Sequence, residues 1–134
     1  MGSHPSCIVP LGEAGRAGDG LVGGKAARLG SLIQAGFRVP RGFCITTTAY
    51  EQFVAEAGLS AQVAMELGRK PLDAMRWEEL WDAALRIRSA FLRADVPDPI
   101  AAQIGRALAD HIGDGAVVVR SSAPGEDSQQ RSFA

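Results

Sequence analysis

The sequence predicts a mixed α/β fold formed by one domain, residues 1–134, with residues 1–6 disordered. Short apolar runs bounded by glycine or proline indicate strands, and longer stretches with apolar residues three and four positions apart indicate amphipathic helices. The 134 residues are 46% hydrophobic and 22% charged, which is the ordinary range for a globular domain. The chain is therefore expected to bury a core.

The first elements predicted are a strand and a helix joined by a glycine-rich loop. Cys7–Leu11 is a short apolar run, and Gly12–Gly20 is rich in glycine and poor in apolar residues. Helical spacing begins at about Gly24 and continues to Ala35, where Gly36 is expected to form a left-handed C-terminal cap. The predicted buried face of this helix consists of Ala26, Leu29, Leu32 and Ile33.

A second buried strand, Gly42–Thr46, is predicted to lead into a further helix. Thr48 and Glu51 have the spacing of a capping box, with the hydroxyl at the helix start and the carboxylate three residues later. This helix is expected to end at about Ala57.

A longer amphipathic helix is predicted from about Met75 to Leu92. Trp77 and Trp81 occupy its apolar face and are expected to be core residues, whereas Arg86 and Arg93 are expected to reach solvent.

The last elements predicted are a helix and a strand. Asp98 followed by Pro99 is a strong helix start, and the helix is expected to run to His111, an exposed terminal residue. Ala116–Arg120 contains three consecutive valines and is predicted to be a strand.

Composition argues against two classes of protein. A net charge of −1 without a stripe of basic residues argues against general nucleic-acid binding. We see neither a run of about 18 apolar residues nor a signal-peptide pattern, so we expect no membrane partner. Cys7 and Cys44 form no C-x-x-C pair and are expected to be reduced, buried thiols. These features predict a cytoplasmic protein.

Charge is distributed unevenly along the chain. Between Asp19 and Glu51 there is no acidic residue, whereas the stretch from Glu51 to Asp114 has eleven acids and seven bases. The bases of the acid-free stretch are Lys25, Arg28, Arg38 and Arg41. This stretch favours an anionic ligand.

Two familiar nucleotide motifs fail in this stretch. Residues 18–23, GDGLVG, fit G-x-G-x-x-G, but a glycine-rich loop precedes them and no ribose-binding acid follows at the required distance. A P-loop would need glycine at Asp19 and a hydroxyl at Ala26. Neither a Rossmann site nor a P-loop is therefore predicted.

Two glycines and a lysine at a helix start have the properties of a phosphate site. Gly23 and Gly24 would let the backbone approach an anion, the amides of the first helical turn would point at it, and Lys25 would add positive charge. The alternative interpretation is a flexible helix entry with a surface lysine.

A complementary group follows the last predicted strand. Arg120 could grip phosphate oxygens in a bidentate manner, and Ser121 and Ser122 add hydroxyl donors beside it. The alternative is a structural loop in which Arg120 pairs with Glu126 or Asp127.

Together the two segments resemble one protein family. VGGKAARLGSLIQAGFRVPRGFCITTTAY, residues 22–50, and VVVRSSAPGEDSQQRSFA, residues 117–134, are similar to the N-terminal signature blocks of the ATP-binding module of pyruvate phosphate dikinases, phosphoenolpyruvate synthases and rifamycin phosphotransferases. Two ordered blocks at this separation are specific, whereas either block alone would not be.

The resemblance implies an ATP-grasp-like fold and a set of phosphate contacts. By position, Lys25 and Arg120 correspond to the residues that hold the ATP phosphates, with Gly23 and Gly24 shaping the approach and Ser121 and Ser122 supporting Arg120. In these enzymes the β-phosphate passes to a histidine on a swivelling domain and then to pyruvate or the antibiotic. Mg²⁺ is expected in the full-length family, with its ligands outside this chain.

The second block departs from the family pattern at several positions and retains it at others. Pro124-Gly125 and Arg131 differ from the usual pattern, while Glu126, Asp127 and residues 132–134 retain it. RSSA favours synthase or rifamycin-type relatives over the dikinases proper.

The parts of the family that follow these blocks are absent from the sequence. We therefore expect an inactive N-terminal fragment whose partners are a nucleotide and the remainder of the same enzyme. The alternative is a non-catalytic nucleotide-binding, anion-binding or interaction module.

Overall fold

A computed structural model describes residues 6–125 of the chain. The disorder predicted for residues 1–6 and the retained acids at positions 126 and 127 fall largely outside this range. The fold is helix-rich with a small two-stranded sheet, which confirms a mixed α/β protein at this level. The chain divides into a first unit, which comprises residues up to Tyr50 and from Asp98 onward, and a second unit, Glu51–Pro97.

Both early strands were predicted correctly. Strands β1 (Ile8–Pro10) and β2 (Phe43–Ile45) pair antiparallel, with Val9 opposite Cys44. These two side chains are buried on one face of the sheet, and backbone hydrogen bonds extend the pairing at both ends. The cluster that forms the core of the first unit consists of Val9, Ala14, Val22, Ala26, Ala27 and Cys44.

The loop predicted for Gly12–Gly20 is wrong. A 3₁₀ turn at Leu11–Glu13 is followed by two short helices, α1 (Ala14–Ala17) and α2 (Asp19–Val22). This stretch is rich in glycine and alanine, whose small size lets short helices pack closely. The composition that predicted a loop therefore belongs to closely packed helices.

Helix α3 (Gly24–Gln34) confirms the predicted helix, and Gly36 forms the predicted left-handed cap with φ of 85°. The predicted buried face is only partly correct. The buried residues are Gly24, Ala26, Ala27 and Gly30, whereas Leu29 and Leu32 are exposed and Ile33 is half-buried. A Cβ on Gly30 would collide with the backbone of α1 at Gly15, so close approach of the two helices decides which side is buried.

Helix α4 (Thr47–Glu56) ends where it was predicted but is capped by a different residue. The Thr46 hydroxyl accepts a hydrogen bond from the Ala49 amide at 3.3 Å and donates one to the Ser6 carbonyl at 3.1 Å. The predicted cap at Thr48 is therefore wrong, because this residue already lies inside the helix.

The second unit contains a helix that was not predicted, α5 (Leu59–Leu67), packed against α6 (Trp77–Arg93). The tryptophans are not core residues: Trp77 is 69% exposed and Trp81 54%, and their rings stack with centroids 5.2 Å apart. The buried residue on α6 is the small Ala83. Periodicity identified the helix but misjudged which side chains its neighbours cover.

Helix α7 (Asp98–His111) has the predicted bounds and packs on both strands. His111 is half-buried rather than exposed, because its ring lies 5.9 Å from that of Phe43. No helix in the described part of the chain combines the length and apolar character needed to cross a membrane.

The strand predicted at Ala116–Arg120 is wrong. Val118 and Val119 are 88% and 90% exposed, and this segment has no helical or strand structure. A strand needs a neighbour to accept and donate its backbone hydrogen bonds. Within residues 6–125, β1 and β2 pair only with each other.

Candidate functional site

The first part of the site is the junction between α2 and α3. Gly23 lies between the helices with φ of 79° and ψ of 157°, a conformation that is nearly confined to glycine. The first hydrogen bond of α3 runs from the Ala27 amide to the Gly23 carbonyl at 3.1 Å, so the amides of Gly24, Lys25 and Ala26 precede it. These are the groups that give a helix start its positive character.

Lys25 is the second residue of α3. Its position in the first turn of α3 follows directly from the predicted helix, and its side chain is half-buried. Asp19, in the first turn of α2, is exposed and is the acidic residue nearest to it in sequence. The first turn of α3 contains Lys25 and no acidic residue, a composition that favours an anion there.

The second part of the site is the segment from Arg120 to Ala123, which touches the first. The Ser122 hydroxyl donates a hydrogen bond of 2.9 Å to the carbonyl of Val22, the last residue of α2. One hundred residues of sequence separate the two partners. The structure therefore joins the two segments that the sequence singled out.

Gly23 is also in direct contact with this second segment. A Cβ on Gly23 would collide with the Ser122 hydroxyl and would lie 2.9 Å from the Ser122 carbonyl carbon and 3.1 Å from the Ala123 amide nitrogen. The space beside Gly23 thus holds protein backbone. Gly23 permits the close approach of its own chain, and its contact with a ligand stays a prediction.

Arg120 and Ser121, which precede Ser122, are exposed. Arg120 is two residues before Ser122, and Lys25 is two residues after Gly23, so the Cα of each lies within about 7 Å of the Cα of the contacting residue. Both residues that were predicted to hold phosphate therefore have their Cα atoms near the same junction. The alternative partners of Arg120, Glu126 and Asp127, lie outside the described residues.

Two features of the site could not be found by motif analysis. Val22 contributes a backbone carbonyl, which any residue could supply, and the helix α2 that positions it was predicted as loop. Thr47 supports the same helix from the start of α4, because its hydroxyl donates to the Gly20 carbonyl at 3.0 Å. Gly23 is the residue in the sequence that could have indicated the close approach of another backbone segment.

Both cysteines of the chain belong to the first unit. Cys7 and Cys44 are buried and unbridged, which confirms the expected thiols, and burial raises the pKa of the Cys44 thiol. Among residues 6–125, no three His, Cys, Asp or Glu side chains form a group that could hold a metal ion.

Comparison with known proteins identifies the family. Residues 19–134 match the model of the pyruvate phosphate dikinase AMP/ATP-binding domain. The chain belongs to this family. The match begins at α2 and includes both segments of the site, so the resemblance predicted from the two sequence blocks is confirmed.

Relatives of this AMP/ATP-binding domain are considerably longer than the chain. A rifampicin phosphotransferase from a Streptomyces species is 41% identical over 128 residues, covering 95% of this chain and 15% of the relative. A probable phosphoenolpyruvate synthase from Methanothermobacter thermautotrophicus is 39% identical over 127 residues, covering 91% and 18%. The rifampicin phosphotransferase of Streptomyces sviceus is 42% identical over 129 residues, covering 95% and 14%. The chain therefore spans less than a fifth of each of these relatives.

Proposed function

We propose that the chain is the N-terminal part of an ATP-dependent phosphotransferase and contributes contacts to the ATP phosphates. The observation that supports this most strongly is the hydrogen bond between Ser122 and Val22, which brings the two signature segments together. Lys25 would supply a mobile ammonium and Arg120 a planar guanidinium. Gly24 would add backbone amides at the start of α3, and Ser121 a hydroxyl.

The arrangement suits charge neutralisation of a polyphosphate. A phosphate chain carries several negative charges, and charge-assisted hydrogen bonds to it are roughly twice as strong as neutral ones. Phosphoryl transfer also needs a positioned metal and in-line geometry between donor and acceptor. We infer that these come from other parts of a longer enzyme and that this chain alone has no activity.

Several properties follow from family membership as further proposals. The chain would form the first lobe of an ATP-grasp-like domain and would work with Mg²⁺ held by residues elsewhere. The phosphoryl acceptor would be pyruvate or a rifamycin, in line with the names of the relatives. We also propose a cytoplasmic location.

A second candidate is an interaction module without catalysis. The stacked, exposed rings of Trp77 and Trp81 favour it, because large exposed aromatic side chains are enriched at protein interfaces. This surface belongs to the second unit, whereas the phosphate contacts belong to the first. The two candidates therefore predict effects of different substitutions.

Titration of ATP by calorimetry tests the proposed function. Lys25→Ala and Arg120→Ala should each weaken binding roughly tenfold or more, because each removes a charge-assisted contact. Matched controls are Lys70→Ala, which lies in the second unit, and Arg106→Ala, an exposed position on α7. Raising the salt concentration should weaken binding of the unaltered chain.

Two results would contradict the proposal. Absence of ATP binding, or binding indifferent to both site substitutions, would remove the phosphate site. Incorporation of label from ATP into the chain would show that it is catalytically complete, against the inference of an inactive part.

A further inference from the structure

The segment that carries Arg120 has little regular structure to position it. Residues 116–123 form neither helix nor strand, and Val118 and Val119 are almost fully exposed. The position of Arg120 therefore depends on the contacts that its immediate neighbours make.

We propose that Ser122 is a positioning residue of the phosphate site, which holds Arg120 in place for a nucleoside triphosphate without contacting the ligand. This rests on the proposed function. In the proposed arrangement the Ser122 hydroxyl is directed at the protein, since it donates to Val22, and the ligand contacts are left to Arg120 and Lys25.

The Val22 carbonyl, which accepts this hydrogen bond, lies at the end of a helix. Val22 is the last residue of α2 and is buried, and carbonyls in the last turn of a helix lack a partner further along the helix. A hydroxyl on the neighbouring segment supplies a donor in their place. The bond therefore anchors residue 122 to a fixed point of the core.

Gly23, which has no side chain, leaves room for the anchored segment to pack against it. Ser122 and Ala123 fill the space that a Cβ would occupy, so the backbone of this segment lies directly on the α2–α3 junction. Arg120 lies two residues away, which confines its Cα to within about 7 Å of the anchored residue. Loss of the anchor would widen the region that the guanidinium samples and would lower affinity through entropy.

The test compares Ser122→Ala with Ser60→Ala, a matched change at an exposed position of α5 in the second unit. Removing the Ser122 hydroxyl should weaken ATP binding roughly fivefold, the effect of losing one hydrogen bond of ordinary strength. Ser122→Thr, which keeps the donor, should restore part of the affinity. Ser60→Ala should leave affinity unchanged.

A second readout does not need ATP. Trypsin should cleave after Arg120 several times faster in Ser122→Ala than in the unaltered chain, because the segment is released from the α2–α3 junction. Mass spectrometry of the early products identifies this cut among those at other basic residues. Cleavage in Ser60→Ala should proceed at the original rate.

The outcomes separate this inference from the proposed function. If the unaltered chain binds ATP and Ser122→Ala binds it equally well, the positioning role is wrong and the function stands. If the unaltered chain does not bind ATP, the proposed function fails, and a Ser122→Ala cleavage rate equal to the original would also overturn the anchor. Weakened binding together with faster cleavage supports both.

Discussion

The two segments of the candidate site are stabilised in different ways. The first is the start of α3, where Ala26 and Ala27 are buried in the core of its unit. The second, residues 120–123, is exposed and belongs to a stretch, residues 116–125, that has no helix or strand. The first segment is therefore fixed by packing, and the second by contacts that it makes with the first. Two sequence motifs that belong to one candidate site can thus be stabilised by different kinds of contact.

The largest effect is expected from Gly30→Ala, which attacks the packing of the first segment. A Cβ there would collide with the Gly15 amide and approach the Leu11 carbonyl to 2.9 Å. Because these are backbone atoms, the free energy of unfolding should fall by about 3 kcal/mol. Urea unfolding measures it. Gly105→Ala, where a Cβ would meet nothing within 4 Å, is the control and should be neutral or stabilising. Equal behaviour of the two variants would contradict close packing of α1 and α3.

The next largest effect is expected for alanine at Gly23. Comparison with alanine at Gly18 separates the cost of backbone strain from the cost of contact between the two segments. Gly18 and Gly23 have nearly the same backbone angles, φ of 85° and 79° with ψ of 156° and 157°. Alanine at either position should therefore incur a similar strain of about 1–3 kcal/mol. Only at Gly23 would the new Cβ also collide with Ser122, since nothing lies within 4 Å of Gly18.

Gly23→Ala should consequently be the more destabilising change, and it alone should accelerate trypsin cleavage after Arg120. Urea unfolding and mass spectrometry of the cleavage products measure the two effects. Identical stability and cleavage in both variants would mean that the second segment does not lie on Gly23.

A smaller effect concerns the second unit, which should be independent of both segments. The Glu66 side chain is 8% exposed and accepts hydrogen bonds of 2.8 Å from Arg86 and Arg69. The hydrogen bond from Arg86 lowers the pKa of the Glu66 carboxyl below its usual value, and burial opposes this only in part. A carboxyl whose pKa is lower in the folded state stabilises the fold above its unfolded pKa, and this stabilisation is lost as the pH falls through the folded pKa.

Glu66→Gln should therefore lower the melting temperature at pH 7, and the difference should shrink as the pH falls below about 4.5, the region in which an ordinary glutamate takes up its proton. Thermal unfolding followed by circular dichroism measures it, with the exposed Glu51→Gln as control. ATP affinity should be unchanged. A difference that grows in acid would have the wrong sign for this account.

The smallest effect is expected just before the second segment, at Val119, which is 90% exposed. Val119→Thr should change the free energy of unfolding by less than about 0.5 kcal/mol, as is usual for exposed positions. Val22→Thr, at 3% exposure, should cost about 1–3 kcal/mol, because it buries a hydroxyl. Urea unfolding of the pair measures the contrast. A large loss at Val119 would indicate that the valines are packed as a strand after all.

The sequence predicted those parts of the fold that depend on nearby residues. Helix α7 was placed correctly by the Asp98-Pro99 start, and the end of α3 by Gly36, because caps and turns are local. Exposure of Trp77 and Trp81 was not predicted, because helical periodicity shows that a face is apolar without showing what covers it.

The residue types at the candidate site carried a sequence prediction, but the contact between its two segments did not. Lys25, Arg120 and their neighbours were predicted as ligand contacts because cations beside glycine or hydroxyl residues are typical of phosphate sites, and their contact with phosphate stays a prediction. The hydrogen bond from Ser122 to a backbone carbonyl 100 residues away leaves no pattern in the residue types. A non-local contact of this kind becomes visible only in the fold.

Nitrogen-15 NMR titration with ATP tests most directly whether the two segments form one site. If the two segments form one site, the amides of residues 23–27 and 118–123 shift together with a single dissociation constant, while those of α5 and the central turns of α6 stay unchanged. Shifts confined to one segment, different constants for the two segments, or shifts centred on α5 and α6 would contradict a shared phosphate site.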